Sequence, residues 1–284
     1  MGIDRMVGVD SSFCDPNAFG STVVLAMVFV PAVWTAWPSR FVRLFLVGFM
    51  ALGGLCVSLT GSRGSFLCLI IWAVVVIARS KWRWHLAALA MLGSPLLWVA
   101  MPGKLQTRFE TIVNPAVGAR NEQQSADARI IGLMTGIKLF QDFPVSGIGP
   151  GAWRTATGMK LQSHNLYGQL LGEMGGLGAI TFLGILIAFG LNLWQLRQAF
   201  RQHPELKGGF LHRFSQAISL ALFLLLMQGN FGHNLFRYQW VWFAAFLCIA
   251  RYCLAQRLAM PEPASEDEEE MMDAYADERW AEAV

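Results

Sequence analysis

Charge is scarce in this sequence. Only 14% of the 284 residues are Asp, Glu, Lys or Arg, against about 25% in an ordinary soluble domain. The basic residues flank apolar runs and form no single stripe, which argues against nucleic acid as a partner. Cysteine is used sparingly: Cys14, Cys56, Cys68, Cys248 and Cys253 contain no CxxC pair. Four of them lie in or beside apolar runs, where a thiol acts as a small hydrophobe. No disulfide framework or metal site is expected. Met1-Gly2-Ile3-Asp4-Arg5 also lacks the basic start and apolar follow-on of a secretory signal.

What is abundant is apolar. Hydrophobic residues make up 55% of the chain, and mean hydropathy is +0.43. Segments 18–37, 41–59, 65–78, 84–100, 166–194, 214–228 and 238–250 are long or apolar enough to suggest bilayer crossings. The expected fold is all-α: a polytopic membrane helix bundle of about seven transmembrane helices. One long outward-facing loop containing short helices interrupts it. The expected organisation is an outward N-terminal segment (1–17), four transmembrane helices (18–100), a large loop (101–164), three more helices (165–257) and a tail (258–284). After Met260 the tail runs Pro261-Glu262-Pro263 and stays acidic, a composition that predicts disorder.

Orientation follows from the loops. One set carries Arg40, Arg43, Arg79, Lys81, Arg83, Arg197, Arg201, Lys207, Arg213, Arg251 and Arg257; the short loops of the other set carry Arg63 and Arg237. The positive-inside rule makes the first set cytoplasmic. The N-terminus, Arg63 and the long loop then face outward. An outward N-terminus with no signal segment predicts either reverse insertion of the first span or further helices upstream, and the second is favoured.

The polar residues gather on the outward side. Within the loop, Ile130, Leu133, Met134, Ile137 and Phe140 have helical spacing over 127–140, with Ser125 or Asp127 as cap and Asp142-Phe143-Pro144 as stop. Gly147–Gly151 reads as a tight, irregular turn. Lys104, Arg108, Arg120, Arg129, Lys138, Arg154 and Lys160 outnumber the loop carboxylates. Such a surface suits an anionic, membrane-tethered substrate, or equally anionic lipid. Arg63, in Thr60-Gly61-Ser62-Arg63-Gly64, sits where a charge is costly unless paired. It can grip phosphate with two planar donors, or snorkel to headgroups. His164 is the acid–base candidate, since its ordinary pKa is near physiological pH, although a lone histidine is more often structural. Asn165, Gln169 and Glu173 follow it at i, i+4 spacing, beside a small stripe of Gly168, Gly172 and Gly176 that admits a close helix. Glu173 is either a second functional group or a partner for an arginine. His233, in Gly232-His233-Asn234, is a weaker candidate, and Asn17, in the Asp15-Pro16-Asn17 turn, can contact substrate.

Three motifs occur in order: Ser62-Arg63-Gly64 before an apolar helix; Arg129 followed by Phe143-Pro144-Val145-Ser146-Gly147-Ile148-Gly149-Pro150-Gly151; and His164-Asn165 with Glu173-Met174-Gly175. This set resembles the O-antigen ligase family, which includes O-antigen polymerases and protein O-oligosaccharyltransferases. The resemblance runs from about Asp15 to about Trp242. Family members usually have about a dozen helices, so this chain resembles their C-terminal portion.

The resemblance implies a metal-independent glycosyltransferase without a cofactor, multi-pass in the bacterial inner membrane with its active face periplasmic. The implied donor is a glycan on undecaprenyl pyrophosphate. The implied acceptor is a hydroxyl of lipid A-core or another glycan. Arg63 would bind pyrophosphate, Arg129 would hold that leaving group with Arg120 as its substitute, and His164 would be the base. Asn165, Glu173 and Asn17 would serve substrate binding. A polymerase or a protein O-oligosaccharyltransferase fits the same motifs. A transporter or an inactive truncated remnant is the more distant alternative. Gly-rich helices suit transport, but no inverted repeat is visible.

Overall fold

The computed structural model describes residues 5–8, 15–111, 114, 120–159, 162–232 and 234–259, with backbone alone at 100 and 120–126. Every regular element among them is helical. Two pieces, α1 (Pro16–Met27) and α2 (Val30–Ala36), form the first apolar rod. Asp15 starts it as N-cap, its Oδ2 accepting from Ala18 N at 3.0 Å. The break at Val28-Phe29 follows from Pro31, whose ring would clash with the Met27 carbonyl of a continuous helix. Then come α3 (Arg40–Leu59), α4 (Arg63–Arg79) and α5 (Arg83–Ala100). Between α3 and α4, Gly61 turns the chain with φ +57°, a conformation glycine adopts without strain.

The connecting region contains α6 (Gly103–Glu110), α7 (Arg120–Asp142) and α8 (Trp153–Thr157). The periodicity predicted 127–140 for the middle helix, which instead starts at Arg120. Arg120-Asn121-Glu122-Gln123-Gln124 contains good helix formers but no apolar rhythm, so propensity extends the helix where periodicity is silent. Ser125 and Asp127 consequently lie inside α7 rather than capping it. Its end at Asp142 and the glycine turn agree with expectation: Gly147, Gly149 and Gly151 have φ of +63°, +101° and +75°.

The chain then enters α9 (Leu166–Gln169), a π-turn (Leu170–Met174) and α10 (Gly175–Gln202). Finally α11 (Phe210–Gln228) and α12 (Gln239–Ala259) complete the described bundle. Five rods have the length and composition of a crossing: Pro16–Ala36, Arg40–Leu59, Leu166–Gln202, Phe210–Gln228 and Gln239–Ala259. The sequence suggests about seven. The other two expected crossings are α4 and α5, with 17 and 18 residues, or about 26 and 27 Å at 1.5 Å per residue, just short of a ~30 Å hydrocarbon core.

The core joins Val24, Val57, Cys68, Phe189, Ile218 and Leu247 from six helices. The outside is apolar as well. Phe41, Leu44, Leu89, Leu96 and Val99 are all more than two-thirds exposed. Exposed apolar area on this scale fits a hydrocarbon solvent and would aggregate in water. Helix order brings the starts of α1, α4, α9 and α12 and the ends of α3 and α11 to one end of the bundle. Arg40, Arg79, Lys81, Arg201, Lys207 and Arg213 lie in turns or terminal helix residues at the other.

Candidate active site

The chemistry-bearing residues are placed by three local devices. The first is the α3–α4 turn. Ser62 caps α4 by accepting from Ser65 N at 3.4 Å, which sets Arg63 as the first helical residue. Two further arginines fasten the turn: Arg108 Nε donates to Gly61 O at 2.7 Å, and Arg5 Nε to Thr60 O at 2.6 Å. Arg63 itself donates to Thr111 Oγ1 at 2.8 Å.

The second device is a contact between α7 and the start of the Leu166 rod at backbone distance. A Cβ on Gly136 would lie 2.0 Å from the Gly168 carbonyl oxygen, and one on Gly168 2.4 Å from that of Gly132. The helix admitted by the glycine stripe is therefore the loop helix. A Cβ on Gly132 would meet Ser163 Oγ at 2.9 Å, so Arg129, one turn earlier, is brought to the Ser163–Asn165 corner. Its guanidinium lies over the Phe231 ring, 5.4 Å from the centroid, and Phe231 in turn packs against Gly64.

The third device is Glu173. Its side chain is fully buried. Oε1 accepts from Gln162 Nε2 at 2.7 Å and Trp153 N at 3.2 Å; Oε2 accepts from Gln169 Nε2 at 3.1 Å and Gly151 N at 3.2 Å. Four donors compensate the burial of a carboxylate. They tie the glycine turn, α8 and the segment before His164 to the π-turn. Asn165 is similarly occupied: its Oδ1 caps α9 by accepting from Tyr167 N and Gly168 N, both at 3.0 Å.

These devices place Arg63, Arg129 and His164 together. Burial, then Arg63 and Arg108, push the Arg129 guanidinium down to about 10, so it remains charged at neutral pH. His164 is half-buried, and burial holds its pKa below the ordinary value, with Arg129 adding to that and Asp15 opposing it. A histidine held neutral beside guanidinium groups can accept a proton while the arginines hold an anion. His164 opens on a cleft also lined by Asn17, Ser21, Gln228, Asn234 and Gln239. Asn17 Oδ1 accepts from Arg5 at 3.0 Å, and Ser21 donates to Gln228 Oε1. Among the described residues, Gln228 Nε2, Asn234 Oδ1 and Gln239 Oε1 are buried without partners.

Arg120 opens α7, nine residues before Arg129, about 13 Å away along the helix; its side chain and all of His233 lie outside the described residues. Among the described residues, no three His, Cys, Asp or Glu side chains are gathered as a metal would require. Sequence reasoning passed over Arg108, Arg5, Phe231 and the amides of Gln228, Asn234 and Gln239. Arg108 was visible as one of several loop cations. The amides carried no signal, because a Gln at a helix end has no motif.

The fold and this polar corner define a class: a multi-pass helical membrane protein with cations and a histidine at one end of its bundle. Residues 48–183 match the family model described as O-antigen ligase. That segment is thus similar to the O-antigen ligase family, and it contains Arg63, Arg129, His164, Asn165 and Glu173. The family is one of membrane glycosyltransferases of the ligase and polymerase type. No curated protein matches the chain.

Proposed function

We propose that this chain transfers a glycan from undecaprenyl pyrophosphate to an acceptor hydroxyl on the periplasmic face of the bacterial inner membrane. The observation that carries the reading is the meeting of Arg63, Arg108 and Arg129 beside a histidine whose pKa is held down. Three guanidinium groups gathered at a partly buried corner offer planar donors that suit a pyrophosphate.

In the proposed step His164 takes the proton of the acceptor hydroxyl. The acceptor oxygen forms the new glycosidic bond to the anomeric carbon as the bond to pyrophosphate breaks. The leaving group departs with the bonding electron pair, and Arg63 and Arg129 stabilise its added charge. Arg120, at the start of α7, is the alternative to Arg129 for holding the leaving group. Asn165 and Glu173 act as positioning residues, since their side-chain oxygens are already engaged by the chain itself. Asn17 belongs to the cleft wall. The unpartnered atoms Gln228 Nε2, Asn234 Oδ1 and Gln239 Oε1 offer one donor and two acceptors to sugar hydroxyls, and support an acceptor there.

Ligase, polymerase and protein O-oligosaccharyltransferase differ only in the acceptor, and lipid A-core or another surface glycan is the favoured one. The proposed topology has α4 and α5 as crossings too, with a periplasmic loop over 101–164 and a cytoplasmic tail over 258–284. The test is reconstituted transfer from a lipid-linked glycan, in chelator, to lipid A-core, to a second lipid-linked repeat or to a Ser/Thr peptide. Transfer to one of the three names the acceptor. Folded protein that leaves the donor intact with all three would refute the reading.

A further inference from the structure

A second cavity lies at the opposite end of the bundle, away from His164. Its volume is about 500 Å3, and it opens between α2, α4, α5 and α11. Its apolar wall includes Trp34, Trp72 and Ala217, while Arg79, Lys81 and Arg213 line it too. No carboxylate is among its lining residues. The charges belong to the helix-end region: Arg79 is the last residue of α4, Lys81 lies in the following turn, and Arg213 is in the first turn of α11. Trp72 is seven residues before Arg79, about 10 Å deeper along the helix. Among the described residues, Arg213 Nε is buried and has no hydrogen-bond acceptor.

An apolar slot whose end carries three cations and an unpaired guanidinium N–H matches one chemistry. We infer that this cavity holds an anionic phospholipid, with an acyl chain against Trp34 and Trp72 and its phosphate on Arg79, Lys81 and Arg213. Basic pockets between membrane helices take anionic headgroups because attraction is strong where water is scarce. A buried guanidinium N–H lacking an acceptor adds a directional term, since a phosphate oxygen relieves its desolvation. A zwitterionic lipid offers the same chain and phosphate, but its ammonium meets three cations. The inference does not depend on the transfer reaction.

The test is native mass spectrometry of the full chain in neutral detergent, with dioctanoyl phosphatidylglycerol or dioctanoyl phosphatidylcholine added. The expected result is a preference of about tenfold or more for the anionic phosphatidylglycerol. Arg213→Gln and Lys81→Gln should each remove most of it. Lys81 is exposed, so Lys81→Gln leaves a readable variant if Arg213→Gln fails to fold. Equal adducts of the two lipids, or an unchanged preference in Lys81→Gln and a folded Arg213→Gln, would overturn the inference. So would displacement of the lipid by millimolar inorganic phosphate, which assigns the cations to a free anion. Disulfide capture of a second copy through Trp34→Cys would also overturn it, because the neighbouring chain then fills the slot.

Discussion

His164 has a half-buried imidazole whose protonation is opposed first by lost hydration and then by Arg129, with Asp15 favouring it. A base must be neutral to act. A lowered pKa keeps it neutral further into acid, so transfer should persist below the ordinary histidine pKa of about 6.5. It should fall only as pH drops through the depressed value. His164→Gln keeps a hydrogen bond but cannot accept the proton, and should lower turnover by ~10²–10⁴-fold with donor binding retained. Full turnover in that variant would reduce His164 to a shaping role. At the arginines, Arg63→Lys should cost about 10²-fold in transfer, since one ammonium cannot reproduce a planar two-point grip. Arg129→Ala should raise the KM for donor more than that for acceptor. Wild-type rates at limiting donor in both variants would remove pyrophosphate from the arginine corner.

Elements decide whether those residues meet. The loop helix α7 carries Arg129 to His164 because Gly132 and Gly136 on one side and Gly168 on the other let backbones touch. Gly136→Leu must push the helices apart, at roughly 1–3 kcal/mol for overpacking. The expected outcome is a folded protein with little transfer, because Arg129 moves off the corner. Gly184→Ala, where the added methyl meets nothing within 4 Å, is the matched control and should be silent. Equal activity of the two variants would detach α7 from function. Glu173→Gln tests the other tie. Its amide would set an N–H against existing donors, at about 1–3 kcal/mol for the lost acceptor. A lower melting temperature should accompany lower activity, measured together on one preparation.

At the scale of the molecule, the two ends of the bundle differ in chemistry. One gathers the polar cleft, and the other carries most of the cations of the turns. In a background without native cysteines, Thr155→Cys and Gln202→Cys place thiols at opposite ends, and both positions are exposed. An impermeant maleimide added to cells with a permeabilised outer membrane should label the first and spare the second. The reverse pattern would invert the topology and move the cleft to the cytoplasm.

Composition alone determined the class. Scarce charge and repeated apolar runs leave a helical membrane bundle as the economical solution, because a backbone in hydrocarbon must satisfy its own hydrogen bonds. Motif order was equally legible: Ser62-Arg63-Gly64, Arg129 and His164 could be picked out because charged and titratable residues stand out among apolar neighbours. Tertiary structure decided what they touch. Asn165 and Glu173 have the i, i+4 look of a functional stripe, yet their oxygens are spent on backbone N–H groups and amides that sequence spacing cannot reveal. Arg108 looked like any loop cation until the fold laid it on Gly61. The physical reason is range. Helix formation and lipid solvation read local sequence, whereas a pKa or a cluster of guanidinium groups depends on side chains dozens of residues apart, brought together where bare glycines let two helices meet.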